Sequence, residues 1–269
     1  MDSEPEKGAG SLFFELAGNL RLSMLSKFRE RPYRLSHLAT ELNATMQETH
    51  RNITRLIEAG MVLKDSDGQH MLTPYGKTIV QIIPSLTFLF EQREYFIEHD
   101  TSDLPVEFVQ RMGSLSKCEV VHGVLAIVQR WKNLYLESGS YIKEIMGQVP
   151  VDLIEILSSR VDSGVKFSYI FGKDSVIPKG RSEILDKVGW KEFISRGLVT
   201  RRMLERVRFM VILNEKEACV LFPNLKGEPD LNTMFYSQDR EFHSWCDDLF
   251  ELQWKLASTF DESKLMAEV

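Results

Sequence analysis

The amino-acid sequence predicts a two-domain chain of mixed class, a small α+β unit followed by a larger α/β unit. Three observations predict it. Ser11–Lys77 carries short helical patterns that end in a hairpin signature, whereas the region beyond interleaves strand-like and helix-like runs. Charge separates along the chain: Ser11–Lys77 holds nine Lys/Arg against seven Asp/Glu, a balance of +2, and the remainder of the −6 chain carries −8. The composition, 43% hydrophobic and 27% charged over 269 residues, suits two modest cores and opposes large-scale disorder.

Met1–Gly10 is acidic and polar without an apolar centre, so residues 1–10 are expected to be a frayed tail and not a secretory signal. From Phe13 and Phe14 through Leu16, Leu20, Leu22 and Leu25 to Phe28, apolar residues recur at helical spacing and predict one amphipathic helix over Ser11–Arg29, ended by Pro32. Ser36, standing before Leu38, Ala39 and Leu42, is the expected N-cap of a short helix. After a turn at Asn43-Ala44, Thr45-Met46-Gln47-Glu48 has the Thr-x-x-Glu form of a capping box, in which two side chains satisfy free amides at a helix start.

The helix so opened carries Ile53, Leu56 and Ile57 on one face and Gln47, His50, Arg51, Thr54 and Arg55 on the other. Gly60 stops it. Met61–Lys64 reads as a strand, Asp65–Gly68 as a turn, Gln69–Leu72 as the returning strand, and Thr73-Pro74 opens a further helix. Helix, short helix, tight turn, capped helix and hairpin in this order make a winged helix-turn-helix over residues 11–77. Long polar donors on the capped helix suit base edges and phosphates, Arg for guanine and Gln for adenine. Lys64, Gln69 and His70 on the hairpin complete the expected DNA-binding set. His37, His50 and His70 lack the companions a metal site needs, and no metal or cofactor is expected.

Leu38-Ala39-Thr40-Glu41-Leu42, Thr54–Val62 and Leu72-Thr73-Pro74-Tyr75-Gly76 resemble the winged-helix repressor superfamily, including its arsenic-repressor-like and multiple-antibiotic-resistance-like groups. The resemblance implies that the helix from Met46 enters the major groove of double-stranded DNA while the hairpin near Asp67–His70 touches backbone or minor groove.

Beyond Lys77, the apolar residues Ile79, Ile82, Ile83, Leu86, Leu89, Phe90, Tyr95 and Phe96 step by threes and fours. They predict a linking helix over residues 78–104 that serves a homodimer or packs against the next domain, with a kink or split at Pro84. His99–Pro105 reads as the domain linker.

The α/β domain is expected over residues 105–260, with 261–269 as a tail. Strands are predicted at Cys118–Val121, Tyr141–Met146, Val165–Phe171, Leu198–Met203, Arg208–Leu213, Ala218–Phe222 and Thr233–Tyr236. Helices are predicted at Val124–Tyr135 with Val124, Ile127, Val128, Trp131 and Leu134 inward, after Pro150, at Ser182–Ser195 and at Asp239–Ser258. The last has an apolar stripe of Phe242, Trp245, Leu249, Leu252 and Leu256. Cys118, Cys219 and Cys246 are too dispersed for a disulfide or zinc framework, and a reducing cytoplasm is their expected setting. No apolar run is long enough to span a bilayer.

Phe209–Leu213, Cys219-Val220-Leu221-Phe222-Pro223, Gly227, Asp230, Phe235-Tyr236-Ser237-Gln238-Asp239 and Phe242-His243-Ser244-Trp245 resemble the regulatory domain of archaeal winged-helix regulators of the methanogenesis regulatory protein type. That resemblance implies a phospholipase-D-like sensor fold and not an enzyme. Phospholipase-D chemistry needs a His-x-Lys pair, but His122 is followed by Gly123-Val124 and His243 by Ser244-Trp245. No nucleophile elbow, phosphate-cradling Gly-rich loop or His-Glu-x-x-His occurs, so no catalytic residues are expected. Candidate residues for an anionic effector are His122, Lys166, Tyr169, Arg201 and Arg202, each of which also reads as a partner for the domain's many carboxylates. The expectation is a cytoplasmic, dimeric transcription regulator whose second domain senses a small molecule. Control by a protein partner, or an enzyme with a fused winged helix, are the alternatives.

Overall fold

The computed structural model describes residues 9–148 and 150–265, so the expected tails fall largely outside the described residues. The chain divides into two compact units, one ending at Pro84 and the other beginning at Ser85.

In the first unit, α1 (Ala9–Leu16) and α2 (Asn19–Glu30) replace the single expected helix. The break is at Gly18, where a side chain would run into the Arg21 guanidinium. Arg21 is buried there and donates to the Phe14 and Glu15 carbonyls at the end of α1 and to Asn52 Oδ1, so an arginine closes the helix instead of continuing it. The strand β1 (Tyr33–Arg34) follows, unforeseen because two residues carry no periodicity. Helix α3 (Leu35–Glu41) has Arg34, not Ser36, as its N-cap.

Helix α4 (Met46–Glu58) begins with both halves of the capping box: Glu48 N–H donates to Thr45 Oγ1 at 3.2 Å, and Thr45 N–H donates to Glu48 Oε2 at 3.2 Å. The Thr45 hydroxyl and, after it, the Thr45 amide donate to the Glu48 carboxylate and hold it below its ordinary pKa. The strands β2 (Val62–Lys64) and β3 (Gln69–Leu72) form the expected hairpin, and β3 pairs on its other side with β1. Asp65 Oδ1 accepts from the Asp67 and Gln69 amides and fixes the turn, where Gly68 takes the left-handed backbone. Met24, Leu25, Phe28, Leu38, Ile53, Leu56, Met61 and Leu72 fill the core. Full burial of each such side chain contributes roughly 1.5–3 kcal/mol. Short helix, turn, capped helix and hairpin therefore follow in the predicted order, and β1, which precedes them, adds a third strand to the hairpin.

Helix α5 (Pro74–Glu91) carries Pro84 inside it, so of the expected kink or split the split does not occur. The interruption comes at Gln92, before α6 (Arg93–Ile97). The predicted linker His99–Pro105 belongs to the second unit. There His99 stacks on Tyr95, bonds Asp230 Oδ2 through Nε2 at 3.1 Å and bridges to Asn224.

The second unit continues with α7 (Val106–Gln110), β4 (Glu119–His122), α8 (Val124–Glu137), β5 (Tyr141–Gln148), α9 (Ile154–Asp162) and β6 (Lys166–Val176). Then come α10 (Arg181–Lys187), α11 (Trp190–Ser195), β7 (Val199–Leu204), β8 (Met210–Asn214), β9 (Ala218–Leu221), β10 (Thr233–Ser237), α12 (Arg240–Leu256) and β11 (Ser258–Thr259). Gly189, in the left-handed region, divides the predicted Ser182–Ser195 helix into α10 and α11. Asp239 caps α12 through the Glu241 and Phe242 amides.

The strands form one mixed sheet in the order β11-β7-β6-β5-β8-β9-β10-β4, in which β5, β6 and β7 are parallel and all other pairs antiparallel. Residues alternate between its faces. Ile142, Phe167 and Val199 share the face of Trp131 and Trp190, under α8 and α11; Lys143 on the other face reaches Asp247 and Glu251 of α12. The sheet is thus buried on both faces, as its near-continuous apolar strands require. Two inward assignments are corrected: Val124 and Leu256 are exposed, each at a helix end beyond the reach of the sheet.

Candidate functional site

In the first unit the polar face of α4 is the candidate site. Thr49, Asn52, Ile53 and Leu56 turn inward, leaving Gln47, His50 and Arg51 exposed and Thr54 half-buried. Spacings of three and four place Gln47, His50, Arg51 and Thr54 on one stripe. Thr54 Oγ1 donates to the His50 carbonyl, which holds its hydroxyl on the helix surface. Ile57, expected inward, is exposed at the last turn. Lys64 is exposed on the hairpin and Gln69 half-buried.

Two residues of the expected set have other tasks. Arg55 donates from Nε and Nη2 to both carboxylate oxygens of Glu15, at 3.0 and 2.7 Å, with its guanidinium 5.0 Å from the Phe14 ring centre. This two-point pair fastens α1 to α4 and turns two of the five guanidinium donors away from a nucleic acid. His70 is only 5% exposed, because β3 is the central strand of its sheet and pairs with Tyr33 at that position. Burial lowers its pKa, so it carries no charge for a phosphate at neutral pH.

In the second unit the expected effector residues do not converge. His122 lies on β4, the edge strand opposite the β7 side, within 3.5 Å of Thr233 Oγ1. Lys166 is exposed at the start of β6. Arg202 donates to the Trp254 and Ala257 carbonyls and stacks on Trp254, tying β7 to the end of α12. Arg202 thus has its donors engaged within the fold, and His122 and Lys166 are not brought together with it.

Tyr169 and Arg201 are register partners on β6 and β7, and Glu144 on β5 is Tyr169's partner on the other side. Glu144, Tyr169 and Arg201 therefore make a polar row across three parallel strands. Glu144 is fully buried; the Tyr135 hydroxyl and Trp131 Nε1, the latter at 2.7 Å from Oε1, donate to its carboxyl, while Oε2 lacks a well-formed bond. Burial pushes its pKa up to about 7 against the opposing hydrogen bonds. Sequence reasoning missed Glu144 entirely: a charged residue inside an apolar strand was the one visible signal, and alternation alone placed it on neither face.

Among the described residues, the first unit holds α4, whose outer face is a polar stripe, beside a three-stranded sheet, and the second is a mixed α/β unit with a buried polar row. No protein-family model matches the sequence, and no curated protein does. Among solved structures the chain is similar to TrmBL2, described as an archaeal chromatin protein with a novel mode of DNA binding. Identity is 14% and the TM-score 0.43, over 90% of this chain and 92% of that one. It is also similar to Nuc of Salmonella typhimurium, a phospholipase D family member, at 10% identity and a TM-score of 0.39 over 54% of this chain and 99% of that one. A dimethyltransferase, RosA of Streptomyces davawensis, aligns at 11% identity and a TM-score of 0.25 over 74% of this chain and 67% of that one. Likenesses this distant carry no argument. Among the described residues, no helix is long and apolar enough to cross a membrane.

Proposed function

We propose that the chain is a sequence-reading transcription regulator of the cytoplasm, in which α4 enters the major groove of double-stranded DNA. The observation that carries this reading is the stripe of Gln47, His50, Arg51 and Thr54 on a helix whose opposite face is locked into the core. Arg51 supplies two-point donors for guanine and Gln47 a donor–acceptor pair for adenine. The hairpin acts as the wing, with Lys64 at the phosphate backbone. The chain works as a homodimer, supported by the exposed apolar residues Ile82, Leu86 and Phe90 on α5. The second unit holds the effector and shifts operator affinity.

Selection from random duplex DNA, then titration of the selected sequence at two salt concentrations, tests the reading. An inverted repeat with half-sites about ten base pairs apart and a steep loss of affinity with salt is expected. Arg51→Ala with Gln47→Ala should weaken binding by about 100-fold, since each lost base contact costs about 1–3 kcal/mol. Unchanged affinity in the folded double variant would remove α4 as the reader.

A further inference from the structure

Three buried donors without well-formed bonds meet around one cavity in the second unit. Tyr169, 2% exposed, and Trp190, 5% exposed, line it, as does Arg181; the Tyr169 hydroxyl, Trp190 Nε1 and Arg181 Nε each lack a well-formed hydrogen bond, with Trp190 and Arg201 the side chains nearest to bonding the Tyr169 hydroxyl. Buried polar atoms are nearly always paired, and an orphan costs about 1–3 kcal/mol. Three at one place call for an occupant. The cavity is about 30 Å³ and is walled by Trp131, Leu153, Leu157 and Phe167. Arg181 and Trp190 also line an adjoining recess of about 470 Å³, with Ile177, Leu185, Ile194 and Leu265 on its sides. That volume lies within the roughly 300–1,000 Å³ usual for small-molecule sites.

The chemistry of the lining selects the ligand. All three orphans are donors, and one belongs to a guanidinium. The carboxylates in the recess are engaged elsewhere: Asp186 pairs with Lys191 at 3.0 Å and Glu262 with Arg201 at 2.6 Å. An acceptor-only, anionic head is therefore favoured, and a carboxylate has lone pairs enough for all three donors. The walls around them are apolar and aromatic, which fits a hydrocarbon or aryl body.

We propose that this cavity and its recess bind a small organic carboxylate with an apolar body, held by Tyr169, Trp190 and Arg181. Occupancy of the site stands on these residues alone; its consequence for DNA rests on the regulatory reading above.

The test is calorimetric titration of the full chain with phenylacetate and with octanoate, beside phenylacetamide and octanamide. At least one carboxylate should bind with one site per chain and shift the fluorescence of Trp190, while its amide binds about tenfold more weakly. Tyr169→Phe keeps the ring and removes only the hydroxyl; Arg181→Met keeps the stem and removes the charge. Each should weaken the carboxylate by about tenfold without lowering the melting temperature of the free protein, since each removes a buried donor that lacks a well-formed bond. Binding of neither acid would overturn the proposal and leave a cavity filled by water, and so would equal affinity in the Tyr169→Phe, Arg181→Met double variant. Operator affinity is measured separately with and without the bound acid. Binding that leaves DNA affinity unchanged would uphold the site and refute its role in regulation.

Discussion

Glu144→Gln tests the buried polar row by its pH dependence. The Glu144 carboxyl has a folded pKa of about 7 against an ordinary value of 4.5, because burial disfavours its charged form. That gap corresponds to about 3 kcal/mol of preference for the neutral form. Between the two values the folded state holds the proton more firmly than the unfolded state does. Stability from this group is complete below pH 4.5 and is lost as pH rises through about 7. Glutamine has nearly the same shape, still accepts from Trp131 Nε1, and cannot ionise. The variant should match the wild type near pH 4.5 and exceed it by about 3 kcal/mol at pH 8 and above.

Urea unfolding followed by tryptophan fluorescence measures this difference, because Trp131, Trp190, Trp245 and Trp254 all lie in the second unit. With a slope of about 2 kcal/mol per molar urea, the midpoints should separate by about 1.5 M at the alkaline end. Other groups titrate alike in both proteins and cancel in the comparison. A stability difference that stays flat from pH 4.5 to 8 would refute the reasoning, since it would mean that Glu144 ionises as an exposed carboxyl does.

In the first unit, Gly76→Ala should destabilise by more than about 2 kcal/mol, because the added methyl would overlap the Met61 carbonyl oxygen at the junction of hairpin and α5; far-UV circular dichroism on heating measures it. Thr45→Ala removes one half of the capping box and should cost about 1 kcal/mol, read as faster hydrogen exchange in the first turn of α4. Arg21→Met leaves the end of α1 without its donors and should release that helix to proteolysis while α4 stays protected, so equal protease resistance would argue against the strap. Cys219 and Cys246 are fully buried with thiol pKa values pushed up by burial, and Cys118 is pushed up to about 11, so the native chain should resist thiol labelling at pH 8 until urea is added.

Elements whose cause lies within a few residues were legible in the sequence. The Thr45–Glu48 box, the Asp65–Gly68 turn and the start of α5 at Pro74 are all local bonding patterns, and each stands where the residues placed it. Periodicity also located most strands of the large sheet, because a buried strand must be apolar along its length.

Everything that depended on long-range pairing was settled by the tertiary structure. Arg55 reads as a free donor on a polar face until Glu15, forty residues earlier, claims two of its three guanidinium nitrogens. His70 reads as a wing residue until β1 covers it and turns the hairpin strand into a central one. His122 and Tyr169 look like companions on two strands, yet the strand order sets β4 and β6 far apart in the sheet and brings Glu144 beside Tyr169 instead. Sheet order and register join residues dozens of positions apart, and no local pattern of side chains encodes which strand will lie beside which.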